Sequence, residues 1–275
     1  RVIGNPPAPL SIAPSVNNYC AGQEKFLTLT ANGGNGTQLK WYTGYCNGTL
    51  IGTTTTNSLT IPAPTSTTVY YAAWENACAT SACANVTVTV YPVAPVSILN
   101  LQTTYCNNEP SVQIEGSLKP GVFSGNIGVS NTGNGIAWFN PSALTPGVYP
   151  VIYTYVSGSG CVSADTINVT IKPVPIVTIL GLENEYCING VVDQIQGTPY
   201  PFGTWLGPVT NNNNGTADFN PTTAGIGTHT ITYTATQNGC TNSISQQVTV
   251  VNIPVVDFTG LQSTYCEGDG TSPLT

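Results

Sequence analysis

Methionine is absent from all 275 residues, and charge is scarce: 6% of the chain carries it, against about a quarter in an average soluble protein. Basic residues are the rarer sign, 5 against 12 acidic ones, for a net charge of −7. A chain so poor in Lys and Arg has no patch to neutralise phosphates, which argues against nucleic acid as a partner and against docking on anionic lipid. No apolar run approaches the roughly 18 residues needed to cross a bilayer, so no membrane insertion is expected. No segment carries a helical stripe. The missing methionine points to a processed or excised segment, in which the lack of a visible signal peptide says nothing of secretion.

What is present is Asn, Thr, Ser and Gly, which supply solubility in place of charge, and nine cysteines at regular places. The dipeptide Tyr-Cys occurs five times; four copies, Tyr19-Cys20, Tyr105-Cys106, Tyr186-Cys187 and Tyr265-Cys266, recur at the spacing of a small domain, and Tyr45-Cys46 lies inside the first interval. Leu101, Leu182 and Leu261 each stand four residues before the later three tyrosines. A second cysteine, Cys78, Cys161 or Cys240, follows each of the first three copies. Self-similarity at this spacing means tandem units. The expected division is residues 1–6, the end of a preceding repeat and a linker; domains at 7–92, 93–173 and 174–254; and 255–275, the truncated start of a fourth. Pro-containing joints at Pro92–Pro95, Pro173–Pro175 and around Pro254 fix φ and cannot extend a ladder, so stiff connections are expected.

Inside each unit the period is two. In the third, His229, Ile231, Tyr233 and Ala235 alternate with threonines; in the second, Tyr149, Val151, Tyr153 and Tyr155 take those places; in the first, Val69, Tyr71 and Ala73 are assigned to them. Such strands are half-buried and antiparallel. The fold class is all-β, tandem Ig-like β-sandwich domains in a linear rod. Trp41 in the first unit, Phe123 in the second and Trp205 in the third occupy the place of a core aromatic.

The runs YCAGQEKFLTLTANGGNGTQLKWYTG and TTVYYAAWENACATSACANVTVTV resemble the Ig-like repeats of large surface proteins of Bacteroidota. The later units, with GTHTITYTATQNGCTNS and a shared FNP element after Phe139 and Phe219, resemble the tandem repeats of gliding-motility adhesins and related giant adhesins. The resemblance implies export by the type IX route and a place on the outer-membrane exterior.

Regular cysteines in a Thr/Asn-rich chain of low charge read as disulfides made in an oxidising compartment. The rival is zinc at Cys78-x₄-Cys83 with Cys20 and Cys46, a loose spacing that the later units do not repeat; neither a metal nor a cofactor is expected. The count gives Cys106–Cys161 and Cys187–Cys240 within their own units, each of which could then fold alone. The difficulty is that a Tyr-Cys before the second strand and a cysteine in the last turn lie at opposite ends of a standard sandwich. Either the Tyr-Cys segment runs back along the sandwich beside the last strands, or the bond joins neighbours, for example Cys106 with Cys240. In the first unit Cys20–Cys78 with Cys46–Cys83 is expected, and Cys20–Cys46 with Cys78–Cys83 is the other scheme. Cys266 is expected as a free thiol.

No enzyme is expected. His229, the sole histidine, faces inward with no nucleophile beside it. Glu183 with Glu185, and Glu267 with Asp269, read as solvated turn residues, and ANGGNG reads as a hairpin turn. One constellation offers binding: Tyr42, Tyr70 and Trp74 on neighbouring strands would form an exposed aromatic platform suited to sugar rings. The plainer reading makes them cross-strand pairs or residues shielded by a neighbour. Asp165-Thr166-Ile167 fits the resembled family's O-glycosylation pattern, making Thr166 a candidate glycan site. The reading that results is a non-catalytic extracellular stalk or adhesin segment at the cell surface, with surface polysaccharide, other cell-surface ligands and the chain's own neighbouring repeats as partners. Alternatives are a carbohydrate-binding array or an accessory region of a secreted polysaccharide-degrading enzyme.

Overall fold

Alternating β-branched or aromatic residues with threonine yields strands that cover a core with one face and meet water with the other. The computed structural model describes residues 4–271 except 202, 258, 260, 262, 265 and 269; Tyr265 of the fourth Tyr-Cys and Asp269 lie outside the described residues. Three β-sandwiches follow one another, each described by eight strands.

The first has β1 (Ser11–Pro14), β2 (Asn18–Cys20), β3 (Phe26–Asn32), β4 (Gln38–Thr43), β5 (Thr49–Thr54), β6 (Ser58–Pro62), β7 (Thr68–Glu75) and β8 (Ala84–Tyr91). They form a three-stranded sheet, β1-β3-β6, and a five-stranded one, β2-β8-β7-β4-β5. Because β3 and β4 belong to different sheets, ANGGNG is a sheet-to-sheet crossing and not a hairpin. Leu27, Leu29 and Ala31 of one sheet meet Leu39, Trp41, Tyr70, Ala72, Trp74 and Val88 of the other.

The second has β9 (Ile98–Leu99), β10 (Thr104–Cys106), β11 (Val112–Gly116), β12 (Gly121–Ser124), β13 (Val129–Gly133), β14 (Ile136–Phe139), β15 (Gly147–Val156) and β16 (Val162–Lys172). Its sheets are β10-β16-β15-β12 and β13-β14-β11-β9. The third repeats that plan with β17 (Thr178–Leu180), β18 (Glu185–Cys187), β19 (Asp193–Thr198), β20 (Gly203–Leu206), β21 (Val209–Asn211), β22 (Thr216–Phe219), β23 (Gly227–Gln237) and β24 (Cys240–Val251), in sheets β17-β19-β22-β21 and β18-β24-β23-β20. Tyr233 of β23 stacks on Trp205, ring centroids 4.7 Å apart, and its hydroxyl donates to Pro199 O at 3.0 Å. Gly197 faces that ring. A Cβ there would lie 2.3 Å from it, so only glycine lets the tyrosine cross to the opposite sheet.

By compactness the chain divides into Arg1–Thr103 with Ser111–Asn140 and Tyr149–Val169, and Thr104–Pro110 with Pro141–Val148 and Thr170–Thr275. The division runs through the second sandwich.

One pairing recurs and decides where the cysteines go. The Tyr-Cys strand of each sandwich lies parallel to that sandwich's last strand: Cys20 opposite Tyr91, Cys106 opposite Lys172, Cys187 opposite Val251. In the third sandwich the turn cysteine, Cys240, is the first residue of the strand whose last residue, Val251, neighbours Cys187. At about 3.3 Å per residue the strand holds the two sulfurs' backbones about 36 Å apart. A disulfide tolerates about 4.4–6.8 Å between Cα atoms. The pairings Cys106–Cys161 and Cys187–Cys240 are therefore corrected: neither forms.

Candidate functional site: disulfide clasps between consecutive sandwiches

Two of the three bonds that do form run from the Tyr-Cys strand of one sandwich to the turn before the last strand of the next. Cys20 bonds Cys161 and Cys106 bonds Cys240, each pair with Cα atoms 5.6 Å apart. Within the first sandwich Cys46, in the β4–β5 turn, bonds Cys83, just before β8, at a Cα separation of 5.8 Å. Of the two schemes for this unit the structure has Cys46–Cys83 without its companion Cys20–Cys78.

Local sequence presents both halves of the clasp. After each Tyr-Cys the chain makes one more bond to the last strand and then turns back on the cysteine. Ala21 N donates to Tyr91 O and Gln23 N to Cys20 O, both at 2.9 Å; Asn107 N donates to Lys172 O at 3.0 Å and Glu109 N to Cys106 O at 3.1 Å. The side chains close the ring, Cys20 N donating to Gln23 Oε1 at 3.2 Å and Cys106 N to Glu109 Oε1 at 2.7 Å. The opposite half is a tight turn. Asn238 and Gly239, with φ of 54° and 84°, make the two-residue hairpin that Asn-Gly favours, and it delivers Cys240 at the head of β24. Cys161 is held by its N–H to Ser157 Oγ at 3.1 Å and its carbonyl to Ser157 N at 2.9 Å.

The bond is one part of a wider seam around the Pro173–Pro175 joint. Val174 N donates to Asn107 Oδ1 at 3.1 Å, and Asn242 Nδ2 donates to Pro175 O at 3.0 Å. Asn108 Nδ2 reaches Thr241 O at 3.0 Å and Lys172 Nζ reaches Asn238 O at 3.3 Å. The joint's backbone is thus hydrogen-bonded on both sides, in addition to proline's fixed φ. An open crevice of about 450 Å³ borders the Cys20–Cys161 bond, lined in part by Ala21, Gln23, Val93 and Val162. It presents no charged group among those residues.

The aromatic platform is a correction. Tyr42, Tyr70 and Trp74 are 7%, 3% and 8% exposed, too little for a sugar to stack on any of them. Tyr70, Ala72 and Trp74 belong to the core between the sheets, while Val69 and Tyr71 do not, so the assigned phase of β7 is reversed; Ala73, on the face of Val69 and Tyr71, is buried as well. Slipping a strand's phase by one residue exchanges its two faces. Burial pushes the Tyr70 and Tyr42 hydroxyls up from their ordinary pKa. Trp74 Nε1 donates to Gly33 O at 3.2 Å, its polar edge satisfied inside the sandwich.

The remaining residues fall as follows. His229 is half-buried on the face of Ile231 and Tyr233, a ring nitrogen 2.8 Å from Gly225 O. Thr166 is exposed on β16, while Asp165 accepts from Ile98 N at 2.9 Å. Cys78 and Cys187 are exposed and unbonded, a correction to the eight-cysteine scheme, because their same-unit partners are out of reach; Cys266 is exposed. Among the described residues no group of three or more His, Cys, Asp or Glu could hold a metal ion, and no helix is long and apolar enough to cross a membrane.

Residues 6–92 match the family described as Ig-like domain, CHU_C associated. Among solved structures the chain is similar to an I-band fragment of titin, 10% identical, covering 88% of this chain and 99% of that one at a TM-score of 0.40. It is also similar to a Ca²⁺-stabilised ice-binding adhesin of an Antarctic bacterium, 13% identical over 90% and 75% of the two chains at 0.32. A third is a SusE-like surface-located polysaccharide-binding protein of Bacteroides thetaiotaomicron, 10% identical over 88% and 72% at 0.32. No curated protein matches the sequence. The chain is a run of all-β sandwiches, of which the first matches an Ig-like family.

Proposed function

We propose that this chain is a non-catalytic extracellular stalk segment of a large surface adhesin, one that extends and presents a binding surface held elsewhere on the protein. The observation that carries the reading is the covalent clasp from each sandwich to the next, Cys20 to Cys161 and Cys106 to Cys240. An enzyme scaffold gains little from fastening successive domains head to tail. A load-bearing spacer gains resistance to bending at every joint and a limit on how far each joint opens. Disulfides belong to an oxidising compartment, and a surface of Thr, Asn and Ser with a net charge of −7 resists nonspecific association. The Ig-like match over residues 6–92 and the resemblance to Bacteroidota adhesin repeats agree with a place on the outer-membrane exterior, reached by type IX export and used in adhesion or gliding. The domain limits proposed are 7–92, 93–173 and 174–254. Thr166, exposed after Asp165, is the proposed glycan position. Any polysaccharide or cell-surface ligand is taken by residues other than Tyr42, Tyr70 and Trp74.

Two measurements test this. An antibody to the chain should label intact cells of the source organism, and labelling only after permeabilisation overturns the surface assignment. In small-angle scattering the oxidised chain should keep a narrow distribution of its longest dimension that broadens with reductant. An unchanged distribution removes the stiffening role.

A further inference from the structure

Cys187 and Cys78 are the two cysteines in the three complete sandwiches that no disulfide takes up, and they are of opposite kinds. Cys187 repeats the backbone bonds that present Cys20 and Cys106, with Gly190 standing where Gln23 and Glu109 add a side-chain bond. It stands opposite Val251 in a parallel pair, Ile188 N donates to Val251 O at 2.9 Å, and Gly190 N donates to Cys187 O at 2.8 Å. Cys78 is the counterpart of Cys161 and Cys240, in the turn before the last strand. That turn also grips the entering chain. Asn76 Nδ2 donates to Gly4 O at 2.9 Å, as Asn242 Nδ2 of the third sandwich donates to Pro175 O in the preceding joint. Gly34 lies so close to this segment that a Cβ would sit 2.6 Å from Pro7 O.

We propose that Cys187 and Cys78 are the open halves of the same clasp and that the partner of each is another Ig-like sandwich of this kind. Cys187 takes the turn cysteine of a sandwich on its C-terminal side, and Cys78 takes the Tyr-Cys cysteine of one on its N-terminal side. The warrant is internal: both equivalents of Cys187 are bonded to both equivalents of Cys78 within this molecule. Every sandwich is then bonded to its two neighbours and none to itself at these positions. The series has a fixed polarity, each Tyr-Cys reaching forward. Forming the bond joins two Sγ atoms and removes two protons and two electrons, which a disulfide oxidant accepts; with oxidised glutathione, two glutathione thiols are released.

The inference deepens the stalk reading by naming the partner at each end, and its test reads a covalent bond whatever surface the protein occupies. In the 275-residue chain, residues 267–275 are replaced by a copy of 188–254, which completes a fourth sandwich carrying its own turn cysteine. After oxidation with glutathione, unreduced peptide mapping should recover Cys187 linked to that added cysteine. A link from the added cysteine to Cys266, or an unreacted Cys187 beside a protease-resistant fourth sandwich, overturns the proposal. A second experiment needs no new fold. Cys187→Ser and Cys78→Ser chains, both also Cys266→Ser, are oxidised alone and mixed. The mixture should give Cys78–Cys187 dimers at least tenfold above the dimers of either chain alone. Equal yields overturn it.

Discussion

The first and third sandwiches build their penultimate strands from different patterns, and the contrast shows what a period of two can and cannot fix. In β23, threonines at 228, 230, 232 and 234 mark the wet face, so Ile231, Tyr233 and Ala235 can only be the dry one, and all three are buried. In β7 the run Val69-Tyr70-Tyr71-Ala72-Ala73-Trp74 is apolar on both sides, and the alternation carries no phase. Burial of Tyr70, Ala72 and Trp74 was settled by the opposite sheet, into which the two large rings fit. The turn cysteine offered a ruler: Tyr70 and Tyr153 stand eight residues before Cys78 and Cys161, and Tyr233 seven before Cys240.

The same two sandwiches solve their cores differently, and mutations should separate them. The largest effect is expected from Trp74→Ala, which empties a buried aromatic site and should cost the first sandwich about 3–5 kcal/mol in urea unfolding; a loss under about 1 kcal/mol would restore the outward phase. Next, replacing Cys46 and Cys83 by serine opens a loop of 37 residues that the third sandwich lacks. The chain-entropy estimate is about 4 kcal/mol, confined to the first sandwich. A comparable loss in the third would contradict the independence of the cores.

Glycine comes third. Gly197→Ala drives a Cβ into the rigid Tyr233 ring and should cost the third sandwich about 1–3 kcal/mol. Gly52→Ala in the first meets only the mobile Cδ atoms of Leu59 at 2.9 Å and should cost less than about 1 kcal/mol. Equal losses would show that the tyrosine-over-glycine contact has no special rigidity. Smallest is the ion pair of the first sandwich, Lys40 Nζ to Glu75 Oε1 at 2.7 Å. Hydrogen bonds from Lys40 and then Gln38 hold the Glu75 carboxyl below its ordinary pKa. A depressed carboxylate contributes stability above its unfolded pKa and loses it as pH falls through the folded one. The melting temperature of Lys40→Ala should therefore trail the wild type at pH 7 and converge with it toward about pH 3. A gap that persists in acid would assign the effect to packing of the lysine stem.

Much of the fold was legible because it is local. Threonine alternation acts over a few residues and yields the strands expected of it, as in β23. The candidate site was less legible. Its chemistry was visible in Cys20, Cys106, Cys161 and Cys240, and so was the topological objection to joining them within a unit. The pairing of Glu185 to Cys187 with the last strand was open only as an alternative, and its parallel register against Thr249 to Val251, more than 60 positions away, was missing. Nothing in a three-residue strand announces a parallel partner, since the ladder's backbone bonds are indifferent to side chains.

The sequence by itself determined that there are repeated all-β units and that each of the first three carries a Tyr-Cys and a later turn cysteine for a disulfide to use. Tertiary structure alone decided which turn. A strand of a dozen residues is a rigid spacer about five times longer than a disulfide can reach. By laying each Tyr-Cys against the far end of its own last strand, the fold puts that sandwich's turn cysteine out of range and the next one's within 5.6 Å.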